Sequence, residues 1–208
     1  MDKELIVLAS GGLDSTTIIY ELFKKGFKPK PLFYNYGQHC ADKEWKVLNE
    51  VLPRGVEQPE YHDISSLFAG SNSRLINEAD LWSENIQDND LYVPYRTLIF
   101  LTCACARAQS LEISQVYAGF INSNHAKEID CSFDFLNNVG NLTEHIGPVE
   151  IVLPFKEMSK SQVLSKAIDL EVPIGKTFSC QAQSKLPCGA CPNCVERLAA
   201  LRELGLQL

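Results

Sequence analysis

The sequence predicts an α/β fold in which a parallel sheet is covered by helices on both faces. The first observation is that the apolar runs at residues 5–9 and 151–153 are short and nearly continuous, as in strands buried on both sides. The second is that segments with helical spacing follow such runs, as in residues 15–25 with Ile18, Ile19 and Leu22 on one face. Repeated strand–helix units are typical of a parallel sheet.

The remaining elements follow from the same patterns and from turn residues. The predicted strands are residues 5–9, 31–34, 61–64, 116–119 and 149–153. The predicted helices are residues 15–25, 41–52, a helix beginning after Pro94, residues 159–170 and residues 195–204. Residues 69–90 are polar and weakly periodic, which predicts a mobile loop or lid, and residues 122–147 are expected to form a second loop over the site.

Composition limits the classes of function. The 208 residues carry a net charge of −7 without a basic stripe, so long nucleic acid is not expected as a partner. No apolar run approaches the length of a membrane span or of a signal peptide, and the protein is expected in the cytoplasm. We expect residues 1–175 to form the α/β domain and residues 176–208 a cysteine-rich tail.

The loop Ser10-Gly11-Gly12-Leu13-Asp14-Ser15 lies between the first strand and the first helix. Helix-terminal N–H groups meet there, so an anion is expected, and the glycines allow close backbone approach. Asp14 beside an anion favours a cation such as Mg²⁺, and the alternative is a simple turn in which Asp14 and Ser15 cap the helix. The loop is neither a Walker A motif nor a dinucleotide fingerprint.

Cys180, Cys188, Cys191 and Cys194 have the spacing Cys-x7-Cys-x2-Cys-x2-Cys. Four thiolates that can converge on one ion predict a structural zinc site, with an iron–sulfur cluster or free cysteines as alternatives. The zinc would attach the tail to the main domain. Of the other cysteines, Cys103 and Cys105 are expected to pack in a helix, and Cys40 and Cys131 are expected to be ordinary thiols, with a catalytic role left open.

The first loop resembles the Ser-Gly-Gly-x-Asp-Ser signature of the PP-loop ATP pyrophosphatases. With the cysteine cluster and three more segments, it resembles the 7-cyano-7-deazaguanine synthase family over nearly the full length. Those segments are Tyr36-Gly37-Gln38-His39, Tyr92 to Phe100, and Phe178-Ser179-Cys180, and Lys160 also matches a family lysine. The resemblance implies an adenine nucleotide alpha hydrolase-like fold and the use of ATP with Mg²⁺.

The resemblance also implies roles for individual residues. The nucleotide would be bound by Leu8, Ala9, Ser10, Gly11, Gly12, Leu13, Asp14, Ser15 and Thr16. Catalysis would use Asp14, Arg96 and Lys160, although an ordinary surface ion pair is the alternative for the last two. The substrate would be bound by Tyr36, Gln38, His39, Tyr95 and Arg96, although a polar loop histidine such as His39 is more often a solvated bystander.

The implied reaction is ATP-dependent activation of the carboxylate of 7-carboxy-7-deazaguanine, followed by attack of ammonia to give the nitrile. The sequence departs from the family at Tyr95 and Thr97, where the family has glycine and asparagine, and in the segment from Gly119 to Phe133. These departures leave two alternatives: an antiphage-type relative that joins the deazapurine to an amine of a partner protein, and a non-catalytic nucleotide-binding module. A homodimer is also left open.

Overall fold

The computed structural model describes residues 3–80, 83–121, 131–182 and 185–206. In these residues the strands are β1 (Glu4–Leu8), β2 (Lys28–Asn35), β3 (Glu60–Asp63), β4 (Gln115–Tyr117) and β5 (Glu150–Val152). They form one five-stranded sheet in the order β3-β2-β1-β4-β5, with every neighbouring pair parallel. The predicted α/β fold is therefore confirmed.

Helices cover both faces of this sheet. They are α1 (Leu13–Lys24), α2 (Ala41–Val51), α3 (Arg96–Ser110), α4 (Phe133–Ile146), α5 (Lys160–Asp169) and α6 (Pro192–Glu203). The central strand β1 shows the division, because Leu5 and Val7 pack with apolar side chains of α1, α2 and α5. Its neighbour Ile6 packs on the opposite face against α3. The near-continuous apolar pattern of β1 thus has the expected cause, which is burial on both sides.

The strand order places a topological switch point beside β1. The chain leaves β1 toward β2 on one side, and β4 pairs with β1 on the other side. Ligands of open α/β sheets bind in the crevice beyond the carboxyl ends of strands at such a point. The loop from Ser10 to Gly12 follows β1, and Gly119 follows β4 by two residues, so both lie at this crevice.

The prediction of a second loop over residues 122–147 is wrong for its second half, which forms α4. The helix begins with a sequence signal, since the Ser132 hydroxyl accepts a hydrogen bond from the Phe135 N–H. Leu136, Val139 and Thr143 form its buried side. Exposed Leu142 and Ile146 break the periodicity that would have revealed it. Residues 122–130, which include much of the segment that departs from the family, lie outside the described residues.

The described part of residues 69–90 contains no α-helix or strand, but it ends in a short 3₁₀ helix (Asp88–Leu91), and it is packed. Leu75 and Ala79 are buried, and the Leu75 carbonyl accepts a hydrogen bond from the His39 N–H. The interpretation as a lid stays a prediction, and Leu81 and Trp82 lie outside the described residues. In the part of the chain that the structure describes, every helix is too short or too polar to span a bilayer.

Candidate functional site

The loop from Ser10 to Ser15, called the phosphate loop from here on because an anion is expected there, presents backbone N–H groups at the start of α1. Gly12 is the N-cap of this helix and has no side chain that could cap it. The alternative in which Asp14 or Ser15 caps the helix is therefore not realised. The Ser15 hydroxyl instead lies 3.4 Å from both the Ser10 nitrogen and the Gly12 carbonyl oxygen. The N–H groups of the first turn remain directed at the crevice, which favours an anion.

Two glycines make this loop sterically feasible. Gly11 has φ +74°, and a Cβ there would lie 2.7 Å from the Leu48 nitrogen of α2. Gly119, after β4, passes so close to α1 that a Cβ would lie 3.1 Å from the Asp14 Cβ and 3.2 Å from the Ser15 nitrogen. The loop is thus confined between α2 and the end of β4.

Asp14 and Lys160 meet at this loop. The Lys160 Nζ donates to both carboxylate oxygens of Asp14, at 2.9 and 2.7 Å. The lysine side chain is 9% exposed and is the first residue of α5, whose N-cap Ser159 forms a capping box with Gln162. This is not the surface ion pair that was the alternative for Lys160. Two of the three predicted catalytic residues are therefore in contact.

A cavity of about 340 Å³ opens next to this pair. Six of the nine predicted nucleotide-binding residues line it, namely Leu8, Ala9, Ser10, Gly12, Asp14 and Ser15, together with Lys160 and Arg96. The Arg96 guanidinium carbon lies 5.5 Å from the centroid of the Tyr36 ring. Burial raises the pKa of the Tyr36 phenol, and the neighbouring Arg96 charge opposes this rise, so the phenol stays protonated. The size suits a small ligand.

The other predicted substrate-binding residues differ in their placement. Gln38 lines the cavity, but its amide is already used: it donates to the Tyr34 carbonyl and to Glu44, and it accepts from the Tyr36 N–H. The His39 side chain is 7% exposed and lies outside the cavity lining, with Nε2 3.1 Å from the Gln181 carbonyl oxygen. Tyr95 also lies outside the lining, and its side chain is 69% exposed. Direct substrate contact by His39 and Tyr95 stays a prediction.

Sequence reasoning missed Glu44, a cavity-lining carboxylate on α2. Burial raises the pKa of the Glu44 carboxyl above its ordinary value, although hydrogen bonds with Gln38 and Cys40 and the charge of Arg96 act in the opposite direction. A signal was available, because Glu44 lies one turn before the fully buried Leu48 and so on the inner face of the helix.

The four tail cysteines form the predicted cluster. Their sulfur atoms all lie within 4.8 Å of one another, and three of the four residues are buried. Tetrahedral Zn–S bonds of about 2.3 Å would bring the sulfurs to about 3.8 Å, a small contraction. Backbone N–H groups already point at the sulfurs, with Cys191 N 3.1 Å from Cys188 Sγ and Cys188 N 3.3 Å from Cys180 Sγ. Such donors stabilise thiolates, so the residues fit a tetrahedral metal ion.

The tail also forms one wall of the cavity. Ser179, Gln181, Asn193 and Glu196 line it, and the Phe178 N–H donates to the Gly11 carbonyl at 3.1 Å. Behind this wall, Arg197 on α6 donates to the Thr177 hydroxyl at 2.9 Å. The tail that carries the cysteine cluster is therefore in direct contact with the phosphate loop, through the hydrogen bond between Phe178 and Gly11.

The fold and the loop are those of the PP-loop class of α/β proteins. Solved structures agree at the level of the fold: a 4-thiouridine synthetase solved with RNA and bound ATP superposes with TM-score 0.56 and 16% identity, over 98% of this chain and 51% of that chain. A predicted subunit of tRNA methyltransferase from Methanocaldococcus jannaschii superposes with TM-score 0.53 and 15% identity, over 99% of this chain and 89% of that chain.

The family model of the queuosine biosynthesis protein QueC matches residues 4–205, and the chain belongs to this family. Curated relatives match over nearly their whole length. The 7-cyano-7-deazaguanine synthase of Marinomonas sp. (strain MWYL1) is 32% identical over 99% of this chain and 96% of its own. The 7-cyano-7-deazaguanine synthase of Trichodesmium erythraeum (strain IMS101) is 34% identical over 97% of this chain and 96% of its own. The sequence resemblance and the expectation of an enzyme are confirmed at the level of the family.

Proposed function

We propose that this chain uses ATP to activate the carboxylate of 7-carboxy-7-deazaguanine and lets ammonia replace the activating group, giving 7-cyano-7-deazaguanine. One observation carries the proposal: a single cavity joins the phosphate loop and Lys160 to a second wall that holds Arg96 and Tyr36. The loop suits the phosphates, and the aromatic and cationic wall suits a planar heterocycle that bears a carboxylate. The names of the relatives support this assignment.

The chain's own residues would divide the work. N–H groups at the start of α1 would bind the phosphates, and Arg96 and Lys160 would neutralise charge on them. Asp14 would hold Mg²⁺ together with ATP, and the ion, when bound, supplies charge neutralisation and orients the phosphates. In this structure Lys160 donates hydrogen bonds to both oxygens of the Asp14 carboxylate. A cation bound to Asp14 would replace these bonds and leave the Lys160 ammonium group available to ATP.

The proposed chemistry balances as two rounds of activation. A carboxylate oxygen attacks the α-phosphorus of ATP and pyrophosphate leaves; ammonia then attacks the carbonyl carbon and AMP leaves. The resulting amide oxygen attacks the α-phosphorus of a second ATP, so pyrophosphate leaves and the nitrogen loses one proton. Loss of AMP together with the remaining nitrogen-bound proton then gives the nitrile. In each round the protein has to accept protons from nitrogen.

Mass analysis of the products from deazaguanine carboxylate, ATP, Mg²⁺ and ammonia tests the proposal. We expect the nitrile, formed only when all components are present. Absence of any ATP-dependent product would overturn the proposal, and ATP consumption alone would already exclude a non-catalytic module. The conditions should include protein loaded with zinc, because we propose a structural Zn²⁺ at Cys180, Cys188, Cys191 and Cys194.

A second candidate reaction uses the same activation but a larger acceptor, an amine of a partner protein. Thr97 favours it: this residue lines the cavity where the family has asparagine, and its hydroxyl lies 3.7 Å from the Cys131 sulfur. If the change admits a larger nucleophile, ammonia should react poorly and a protein from the same operon should gain the mass of the deazaguanine acyl group. The double substitution of Tyr95→Gly and Thr97→Asn should then improve the ammonia reaction. Efficient nitrile formation by the unmodified enzyme would contradict this alternative.

A further inference from the structure

Glu44 is held next to the phosphate loop by the backbone. It lies in the first turn of α2, and its carbonyl oxygen would be 3.1 Å from a Cβ placed on Gly11. Glu44 N–H in turn donates to the Cys40 carbonyl at 2.9 Å. The turn of helix that carries this carboxylate is therefore packed so closely against the loop expected to bind ATP that no Cβ fits between them.

The side chain of Glu44 is oriented by a rigid partner. Gln38 Nε2 donates to Glu44 Oε2 at 3.0 Å and to the Tyr34 carbonyl at 3.1 Å, while its Oε1 accepts from the Tyr36 N–H at 2.8 Å. Gln38 is 4% exposed, so its three bonds are shielded from competing water. An amide fixed in this way fixes one carboxylate oxygen. The Cys40 thiol is the second hydrogen-bond partner of the carboxyl group, and Glu44 lines the cavity.

Glu44 differs electrostatically from Asp14, the other carboxylate at the loop. Asp14 is neutralised by Lys160, whereas no lysine or arginine in the described ranges forms an ion pair with Glu44. The titratable groups that face Glu44 are Cys40 from its own loop, Tyr36 from the end of β2 and Arg96 from α3. Its partial burial raises the pKa of the carboxyl, which makes the ionised form a stronger base than an exposed glutamate.

We propose that Glu44 is the general base that accepts a proton from the nitrogen nucleophile. This inference rests on the proposed function and deepens it. As the nitrogen lone pair forms the C–N bond and the C–O bond to AMP breaks, one N–H proton passes to a Glu44 carboxylate oxygen. No oxidation or reduction is involved. The proton is released to solvent before the next round, in which the same group takes a proton from the adenylated amide nitrogen.

The test separates the two half-reactions in the zinc-loaded full-length enzyme. Carboxylate-dependent exchange of pyrophosphate into ATP reports activation, and amide plus nitrile formation from ammonia reports the nitrogen step. We expect Glu44→Gln to leave exchange close to wild type and to slow the nitrogen step by about 10²-fold. Hydroxylamine, which is unprotonated at neutral pH, should still trap the activated carboxylate. Glu50→Gln makes the same change at an exposed site of the same helix and should alter neither reaction.

Chemical rescue distinguishes a general base at Glu44 from a residue that only supports the local structure. Glu44→Ala supplied with formate should recover part of the ammonia reaction, because a small carboxylate can enter the vacated space, whereas a merely structural role would not respond. Equal loss of exchange and nitrogen transfer in Glu44→Gln, or no loss in either, would overturn the assignment of Glu44 alone. Absence of carboxylate-dependent exchange in the wild type would overturn the proposed function and this inference with it.

Discussion

Lys160 and Asp14 are 146 positions apart in the chain, yet the lysine Nζ lies 2.9 and 2.7 Å from the two carboxylate oxygens. The pair joins the first turn of α1 to the first turn of α5, so the carboxylate is fixed at the phosphate loop before any ligand arrives. Because the lysine is almost fully buried, it would be costly to leave it without its partner. The contact therefore combines a structural role with the proposed catalytic one.

The first prediction concerns the carboxylate of this pair. Asp14→Asn should lower Mg²⁺-dependent ATP turnover by about 10²-fold, because a charge organised around the phosphates is lost. The far-ultraviolet circular dichroism spectrum should stay native. Asp42→Asn, an exposed Asp-to-Asn change on α2, is the control and should turn over ATP normally. Unchanged turnover in Asp14→Asn would remove this residue from the catalytic set.

The second prediction concerns the close approach of β4 to the loop. Gly119→Ala places a Cβ 3.2 Å from the Ser15 backbone nitrogen, so the loop has to shift by a few tenths of an ångström. We expect a higher KM for ATP, measured by steady-state kinetics. Gly140→Ala is the matched control, since a Cβ there meets nothing within 4 Å and alanine favours the α4 helix. An unchanged KM in Gly119→Ala would show that the loop tolerates displacement.

The third prediction concerns the cysteine cluster. Cys191→Ser should lose the zinc, lower the thermal midpoint and weaken ATP binding, because the tail carries Phe178 and Asn193 to the cavity. Metal content by mass spectrometry and binding by calorimetry measure these effects. Cys105→Ser, in the core of α3, should retain the metal. Iron in place of zinc, or a wild-type protein without metal, would contradict the prediction.

The fourth prediction concerns the backbone at Tyr95. This residue is the N-cap of α3 and lies in the left-handed region, with φ +61° and ψ +3°, a conformation that glycine adopts without strain. Tyr95→Gly should raise the free energy of unfolding by about 1 kcal/mol by removing the strain of a side chain there. Tyr95→Ala keeps a Cβ and should gain much less. Equal stability of the two variants in urea unfolding would show that the strain is absent.

Much of this molecule follows from local patterns. The apolar run of β1 and the glycines after it predict the phosphate loop, and the cysteine spacing predicts the cluster. Both features depend mainly on residues that are close together in the chain. The pairing of Lys160 with Asp14 and the approach of Gly119 depend on strand order, which no local pattern records. Sequence resemblance could therefore name Lys160 and Asp14 without showing that they touch.

Other features were hidden by competing signals. The helix α4 has a capped start at Ser132, but its exposed Leu142 and Ile146 obscure the buried stripe. Glu44 was hidden because a charged residue on a helix suggests solvent, whereas here Gln38 and the cavity surround it. Tyr95 is predicted to bind the substrate, and in the structure it combines a left-handed backbone with an exposure of 69%, which no local sequence pattern signals.

The central claim, that ATP activates a carboxylate in this cavity, is tested most directly with substrate labelled by oxygen-18 in the carboxylate group. Attack of that carboxylate on the α-phosphorus transfers one labelled oxygen to AMP, and the amide oxygen transfers the second in the next round. We predict that the AMP recovered with the nitrile carries one oxygen-18 atom per molecule. Unlabelled AMP, or ADP with phosphate in its place, would contradict the account.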